Sequence, residues 1–255
     1  MSVLEIKKAV YNAKRGKALG ADSIYTEVLK NNVAILFMHT LFNICFDKGI
    51  VPSIWGKCII KPIPKSSSSD PRDPLSYRGI ALASSVYKIY CAVLNNRLNF
   101  WVENNDKLED EQCGFRKRRS TIDQLLALTN LVDTRKKLKQ STFTAFVDFK
   151  KANDFINRDK LWKRLFESGI SGKMLNAIMS LYKSVSSCVR VNTFKTEWFN
   201  VHSGLRQGCI LSPLLFNLYI NDLAKYIKRL NIGDEKICIL LYADDIVLLA
   251  ETAND

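Results

Sequence analysis

Two adjacent carboxylates, Asp244 and Asp245, are the residues of this sequence that are best placed to do chemistry. They lie within residues 237–250, between two short stretches of apolar and largely branched side chains. Such stretches predict buried strands, and the Asp pair then occupies the hairpin between them. Because neighbouring carboxylates repel each other and lose hydration there, a cation should balance them. A hard divalent ion, Mg²⁺ above all, suits grouped oxygen ligands, although an ordinary exposed Asp-Asp turn fits this stretch equally well.

A third carboxylate, Asp148, ends a second segment with strand-like alternation, residues 142–149. Asp148 precedes Asp244 by 96 positions. A single metal site therefore reaches both residues only in a fold that sets their strands side by side. The two strands that must position these carboxylates are therefore distant from each other in sequence.

The charge of the chain favours a polyanionic partner. The 255 residues carry a net charge of +13. Up to Gln140 there are 23 Lys and Arg against 13 Asp and Glu (+10), and after it 15 against 12 (+3). This asymmetry is expected if the first part binds a polyanion and the remainder carries an acidic site. A basic surface without such a partner is the alternative.

The seven cysteines are scattered and form no C-x-x-C pair, which argues against a disulfide framework or a zinc site. The start of the chain lacks the apolar core of a signal peptide. The longest apolar region, residues 33–46, is too short and too interrupted to span a bilayer. We expect an intracellular protein with no membrane contact and no disulfide partner.

Periodicity predicts further elements along the chain. Helices are predicted at about residues 2–14 (with Ser2 as N-cap), 23–46, 85–101, 120–138, 159–167, 173–184 and 213–229. Residues 57–65 contain two prolines and are predicted to follow an extended, edge-like path, and residues 188–202 a hairpin. Residues 116–119 are four consecutive basic residues next to Phe115, a combination that suits single-stranded nucleic acid. Taken in isolation, these residues are explained better by a nuclear-import patch or by plain solvated charge.

Three blocks, taken in order, resemble the motifs of a known family. They are Phe-Val-Asp-Phe-Lys-Lys-Ala-Asn-Asp at 146–154, Gly-Leu-Arg-Gln-Gly-Cys-Ile-Leu-Ser-Pro-Leu-Leu-Phe-Asn-Leu-Tyr-Ile-Asn-Asp at 204–222, and Tyr-Ala-Asp-Asp at 242–245. The sequence resembles the reverse transcriptase domain of LINE-type (non-long-terminal-repeat) retrotransposons over about residues 17–250.

The resemblance implies an α+β right-hand polymerase fold, with fingers and a palm built on an antiparallel sheet. Residues 1–140 are then a fingers-like region and residues 141–255 the palm, with part of 170–200 assigned to the fingers. Because the chain ends ten residues after Asp245, the family's thumb is expected to be absent.

The family's activity is RNA-directed DNA synthesis, which implies an RNA template, a DNA primer and a deoxynucleoside triphosphate as partners. The resemblance assigns two Mg²⁺ ions, replaceable by Mn²⁺, to Asp148, Asp244, Asp245 and the backbone carbonyl of Phe149. Two such ions suit an in-line displacement at phosphorus, since they stabilise the attacking and leaving oxygens.

Further residues match positions of the family that contact the nucleotide. By this resemblance, Lys65 and Arg78 meet the triphosphate, and the fork geometry of Arg suits phosphate. Gln207 and Gly208 lie against the incoming nucleotide and the template.

Residues 114–116 match a part of the family that lies near the template strand. The resemblance therefore assigns Gly114, Phe115 and Arg116 to nucleic-acid binding.

Asn153 departs from the family pattern, in which an aromatic residue at this position packs under the sugar and excludes a 2′-hydroxyl. This departure and the end of the chain near Asp245 motivate an alternative function. A degenerate or domesticated copy would bind RNA without extending a primer. An RNA-templated RNA polymerase shares such acids but fits the second block poorly.

We predict that Asn153 weakens the discrimination against ribonucleotides, because its side chain is smaller than an aromatic ring and leaves room for the 2′-hydroxyl. Asn153→Tyr should restore selectivity for deoxynucleotides. The measurement is the ratio of deoxynucleotide to ribonucleotide incorporation by the two chains. Equal ratios in the two chains would contradict the prediction.

Overall fold

The computed structural model describes residues 1–66, 70–227, 230–232, 235–237 and 239–252. The chain divides into two compact units, each built from two stretches of sequence. Unit 1 comprises Met1–Asn99 and Ile156–Ser212, and unit 2 comprises Phe100–Phe155 and Pro213–Asp255. The boundary predicted at residue 140 does not coincide with this division.

The helices are α1 (Val3–Asn12), α2 (Asn32–Lys48), α3 (Ser85–Asn104), α4 (Thr121–Lys137), α5 (Arg158–Glu167), α6 (Gly172–Ser180) and α7 (Ser212–Ile220). Short 3-10 helices cover Val28–Lys30, Ser53–Gly56, Pro74–Ser76 and Leu223–Tyr226. In the described part of the chain, no helix combines the length and the apolar character needed to cross a bilayer.

The strands are β1 (Lys57–Pro64), β2 (Tyr77–Leu82), β3 (Phe143–Asp148), β4 (Ser186–Val191), β5 (Phe194–Lys195), β6 (Phe199–Asn200), β7 (Leu230–Ile232), β8 (Glu235–Ile237), β9 (Ile239–Tyr242) and β10 (Asp245–Ala250). The strand ending at Asp148 and the hairpin that contains Asp244 are therefore both confirmed.

Two helix boundaries differ from the prediction by nine residues each. The helix predicted from residue 23 begins only at Asn32, because Ser23 has a left-handed backbone (φ +54°) and the Asn31 side chain caps α2 by accepting from the Ala34 N–H. The helix predicted to reach residue 229 ends at Ile220. Residues 228 and 229 lie outside the described part of the chain.

The sheet of unit 1 has the strand order β2-β1-β4-β5, with β6 also paired to β4. Strand β1 runs parallel to β4 over residues 57–60 and antiparallel to β2 over residues 59–64. The edge-like path predicted for β1 is therefore wrong at Ile59 and Ile60, which pair with β2 on one side and with β4 on the other. Pro62 and Pro64 lie in the second half of β1, which pairs with β2 alone. This place suits proline, which cannot donate a hydrogen bond to a second neighbouring strand.

Aromatic side chains form the centre of unit 1. The Trp55 ring lies 6.0 Å from Phe42, 5.2 Å from Tyr90 and 6.4 Å from Tyr87, measured between centroids. All four residues are buried. The cluster joins α2 and α3 to the segment that precedes β1, and so fixes the start of the sheet.

The sheet of unit 2 has the order β3-β10-β9, and both pairings are antiparallel. Along β9 and β10, alternate apolar residues face opposite sides. Leu240 and Leu249 pack with Leu131 of α4, whereas Leu241 and Ile246 pack with Ala224. Burial on both faces explains why this region is an almost continuous apolar run. The packing of α4 on the sheet also places residues 100–140 in unit 2, together with the acids.

An ion pair in unit 1 ties the start of the chain to α3. Glu5 forms a capping box with Ser2, and its carboxylate accepts from Arg97 Nε at 2.6 Å and Nη2 at 2.8 Å. The hydrogen bond from Arg97 is the main cause that lowers the pKa of Glu5 from 4.5 to about 2. The folded protein therefore favours the ionised carboxylate.

We predict that Glu5→Gln lowers the free energy of unfolding by about 1 kcal/mol at pH 7, a figure reduced because the pair is about one-third exposed. Since the folded pKa lies below the ordinary value, the stabilisation is present above about pH 4.5 and is lost as the pH falls towards 2. Urea unfolding across this range measures it. The exposed Glu197→Gln serves as control, and equal stability of wild type and Glu5→Gln at pH 7 would contradict the prediction.

Candidate active site

Three acids lie at one end of the sheet of unit 2. Asp148 is the last residue of β3 and pairs with Asp245, the first residue of β10. Asp244 lies in the turn between β9 and β10, directly after Ala243, whose backbone is left-handed (φ +58°). Asp148 and Asp245 are exposed and Asp244 is half-buried. Residues that are 97 positions apart in sequence are thus brought into register.

A cavity of about 310 Å³ adjoins the paired acids. Its lining includes Leu125 and Leu128 of α4, Phe146 and both Asp148 and Asp245. The Phe146 side chain is 75% exposed. The carboxylates therefore border an open and largely apolar surface that a ligand can reach.

The donor groups at this end of the sheet suit a hard cation. They are carboxylate oxygens, and Phe149, whose carbonyl is the further predicted ligand, directly follows Asp148. Among the residues that the structure describes, no three His, Cys, Asp or Glu side chains are close enough to hold one ion together. Backbone pairing joins Asp148 to Asp245, and shared ligation by Asp148 and Asp244 stays a prediction.

Asn153 follows β3 in a tight turn of unit 2. The N–H groups of Asp154 and Phe155 both donate to the carbonyl of Lys151, at 2.8 and 3.3 Å, and Lys151 has a left-handed backbone (φ +53°). Asn153 itself is half-buried. This turn places Asn153 five positions after Asp148, the last residue of β3.

Of the three residues predicted to lie near the template strand, one is exposed and two are hydrogen-bonded within the protein. The Arg116 guanidinium donates to both carboxylate oxygens of Glu103, at 3.2 and 2.9 Å, and to the carbonyl of Glu109 at 3.0 Å. Gly114 is buried. Phe115 is 60% exposed and has a left-handed backbone (φ +58°). The contacts of Arg116 favour a structural role, whereas Phe115 is available for stacking on a base.

Lys65 and Arg78 emerge from the same hairpin of unit 1. Arg78 pairs with Ile63, and the Lys65 N–H donates to the carbonyl of Ser76 at 2.9 Å. Because side chains alternate along a strand, Lys65, two positions after Ile63, shares a face with Arg78. Both side chains are exposed. The hairpin thus presents two cations on one face.

The loop that carries Gln207 and Gly208 lies against β2. A Cβ atom added to Gly208 would lie 3.6 Å from the carbonyl oxygen of Ala81. Gly208 has a left-handed backbone (φ +79°), which a glycine adopts without strain. Unit 1 therefore brings this loop next to the strand that also carries Arg78.

Sequence reasoning missed Arg206, which anchors the loop. Its guanidinium donates to the carbonyls of Trp55 and Gly56, both at 2.7 Å, and lies 4.6 Å from the centre of the Tyr87 ring. The residue is buried. Its position beside Gln207 in a small-residue loop is a weak signal, since the sequence alone does not distinguish a buried cation from an exposed one.

Comparison with solved structures defines the class of fold. The chain is similar to a telomerase from Candida albicans solved with a fragment of telomeric RNA, with a TM-score of 0.56 and 11% identity, over 87% of this chain and 42% of that one. It is also similar to an apo telomerase from Candida tropicalis, with a TM-score of 0.53 and 13% identity, over 91% and 50%. The mixed α and β architecture is therefore that of a polymerase.

The family model for reverse transcriptase (RNA-dependent DNA polymerase) matches residues 63–255. The chain belongs to this family.

The curated relatives come from LINE-type elements, which confirms the resemblance drawn from the sequence motifs. A probable RNA-directed DNA polymerase from transposon BS of Drosophila melanogaster is 29% identical over 97% of this chain and 27% of its own length. The RNA-directed DNA polymerase from mobile element jockey of the same organism is 26% identical over 98% and 27%. A Pol polyprotein from element R2 of Popillia japonica is 28% identical over 80% and 29%. The chain thus spans less than a third of the length of these relatives.

We predict that Arg206→Met lowers the free energy of unfolding by about 3 kcal/mol, because the carbonyls of Trp55 and Gly56 lose their buried donors. Arg206→Lys should lose less, since one ammonium still reaches a carbonyl. Chemical denaturation measures both. Arg72→Met, at a side chain that is 91% exposed, is the matched control. A loss no larger than that of the control would show that Arg206 does not anchor the loop.

Proposed function

We propose that the chain is the catalytic domain of an RNA-directed DNA polymerase. The observation that supports this most directly is the pairing of Asp148 with Asp245, next to Asp244, at one end of a sheet. Membership of the reverse transcriptase family supports it independently. The net charge of +13 suits an RNA template and a DNA primer as partners.

Asp148, Asp244, Asp245 and the carbonyl of Phe149 would hold two Mg²⁺ ions, or Mn²⁺. The family uses divalent ions, and the oxygen-only donor set suits them. When bound, such ions lower the pKa of the primer 3′-hydroxyl and neutralise the leaving pyrophosphate. The role of the protein would be to hold these carboxylates in a fixed arrangement at the end of the sheet.

We assign unit 2 to the palm and unit 1 to the fingers. In unit 1, Lys65 and Arg78 would bind the triphosphate of the incoming nucleotide, since both present exposed cations on one face of the hairpin. Gln207 and Gly208 would contact the nucleotide and the template from the loop that Arg206 anchors.

In unit 2, Asn153 would lie beside the sugar, and Phe115 would stack on a base of the template. These assignments rest on the motifs and on the exposure of each side chain.

A second function is RNA binding without primer extension. Asn153 favours it, because this position lacks the aromatic ring of the family. The same charge and fold would serve such a protein, whereas the carboxylates would be dispensable. The two functions therefore differ in their dependence on Asp148 and Asp244.

We predict that Asp148→Asn and Asp244→Asn each reduce Mg²⁺-dependent primer extension on an RNA template by roughly 100-fold or more, since each removes a charge that holds an ion worth several kcal/mol to the transition state. RNA affinity should stay within about 3-fold, because the removed charges are not cations that bind phosphate. Gel-based extension and filter binding measure the two quantities.

Asp133→Asn, at an exposed carboxylate of α4, is the matched control and should extend primers as the unchanged chain does. Extension that survives either active-site substitution would contradict the polymerase mechanism. RNA binding with no extension by the unchanged chain would support the second function.

A further inference from the structure

Gln112 lies directly beneath the turn that carries Asp244. The residue is 1% exposed. Its segment runs parallel to β9, because the Cys113 N–H donates to the carbonyl of Leu241 at 2.9 Å and the Leu241 N–H donates to that of Glu111 at 3.0 Å. Residues 111–113 therefore extend the sheet at the strand that leads into the turn.

The Gln112 side chain bonds both polar groups of Ala243. Its Oε1 accepts from the Ala243 N–H at 2.9 Å and from the Gly114 N–H at 2.7 Å, and its Nε2 donates to the Ala243 carbonyl at 3.4 Å. One buried amide thus takes the place of backbone partners that a turn residue cannot find within the hairpin. Such buried polar groups are costly when left unpaired.

Ala243 needs this support because its backbone is left-handed (φ +58°). That conformation costs a non-glycine residue of the order of 1 kcal/mol. It also determines the direction in which the chain leaves β9, and hence where Asp244 and Asp245 begin. A change in the backbone of Ala243 would move both carboxylates together.

Gly114 completes the support from the other side. A Cβ atom added there would lie only 2.1 Å from the nitrogen of Ala243, so glycine is required for the two segments to approach this closely. Asn217 holds Gly114 in place by donating to its carbonyl at 2.7 Å. The turn is therefore supported by the buried residues Gln112 and Gly114, and Gly114 is itself held by Asn217.

We propose that Gln112 is a positioning residue for Asp244 and Asp245, acting through the backbone of Ala243. This inference rests on the proposed polymerase function. Gln112 contacts neither carboxylate, and its role is to fix where they start. A displacement of about 1 Å at a reacting centre can cost roughly 100-fold in rate. Loss of the amide should therefore lower kcat far more than it changes the KM for the nucleotide.

Gln124 provides a matched control within the same unit. Its Nε2 donates to the carbonyls of Glu111 and Leu241, at 2.7 and 3.1 Å. It thus binds the same two segments as Gln112 but makes its contacts before the turn. Gln124→Met removes half-buried hydrogen bonds to these segments without releasing Ala243. Because Gln124 also lines the cavity beside Asp148 and Asp245, it serves as the control for hydrogen exchange and not for the rate.

The experiment compares Gln112→Met, Gln124→Met and Gln112→Glu in the full chain. Gln112→Glu keeps an oxygen that accepts from both N–H groups and loses the Nε2 donor to the Ala243 carbonyl, and so tests whether the two accepted hydrogen bonds suffice. Hydrogen exchange of the Ala243 amide, followed by mass spectrometry, reports on the turn without requiring activity. Primer extension at varied nucleotide concentration separates kcat from KM.

For Gln112→Met we expect the Ala243 amide to exchange roughly 10-fold faster, as for the loss of one buried hydrogen bond, and kcat to fall roughly 100-fold, with KM changed less than about 3-fold. Gln124→Met should leave the exchange at Ala243 within about 3-fold of wild type. Gln112→Glu should retain most of the protection at Ala243.

Exchange at Ala243 that changes equally in Gln112→Met and Gln124→Met would overturn the proposal, because Gln112 would then be an ordinary structural residue. An unchanged kcat in Gln112→Met would overturn it as well. If the unchanged chain extends no primer, the polymerase function fails, while the exchange at Ala243 still decides whether Gln112 holds the turn. If Gln112→Met does not fold, Gln112→Asn decides, because it keeps a buried amide but withdraws it from Ala243 by one methylene: exchange at Ala243 no faster than in Gln124→Met would overturn the proposal.

Discussion

The pairing of β3 with β10 is the constraint on which the site depends. Six successive residue pairs, from Asp148 opposite Asp245 to Phe143 opposite Ala250, fix the register of the two strands. A slip of β3 by one residue would turn the Asp148 side chain to the other face of the sheet and remove it from its place opposite Asp245. Strand β10 is packed on both faces, against α4 and against the segment around Ala224, whereas every residue of β3 is exposed. The core therefore fixes β10, and backbone pairing with β10 fixes the register of β3 that places the acids together.

Buried polar side chains then place the loops that the sheets alone leave undetermined. In unit 2 the amide of Gln112 bonds the backbone of Ala243, and in unit 1 the guanidinium of Arg206 bonds the carbonyls of Trp55 and Gly56. In both cases a side chain from a distant part of the sequence satisfies backbone groups. Unpaired, these groups would cost free energy in the interior. Functional loops are thereby given one conformation without being part of a strand or helix.

The parts predicted well from sequence are those with local causes. The alternation around Asp148, the apolar runs around Asp244 and the cap at Ser2 each reflect a pattern within a few residues. The structural bonding of Arg116 depends instead on partners 7 and 13 positions away, beyond any helical or strand period, and the division into units depends on partners far away in sequence. Glu103 pairs with Arg116, and α4 packs on strands more than a hundred positions later. No local pattern identifies such partners, so the sequence left these features open.

The central claim is that Asp148 and Asp244 share metal ions at the end of this sheet. Anomalous scattering from crystals soaked in Mn²⁺ with a primer, a template and a nucleotide tests it most directly. The account predicts two peaks about 3.5–4 Å apart, with carboxylate oxygens of both residues within about 2.3 Å. Saturated crystals with no peak, or with peaks that Asp148 does not contact, would contradict it.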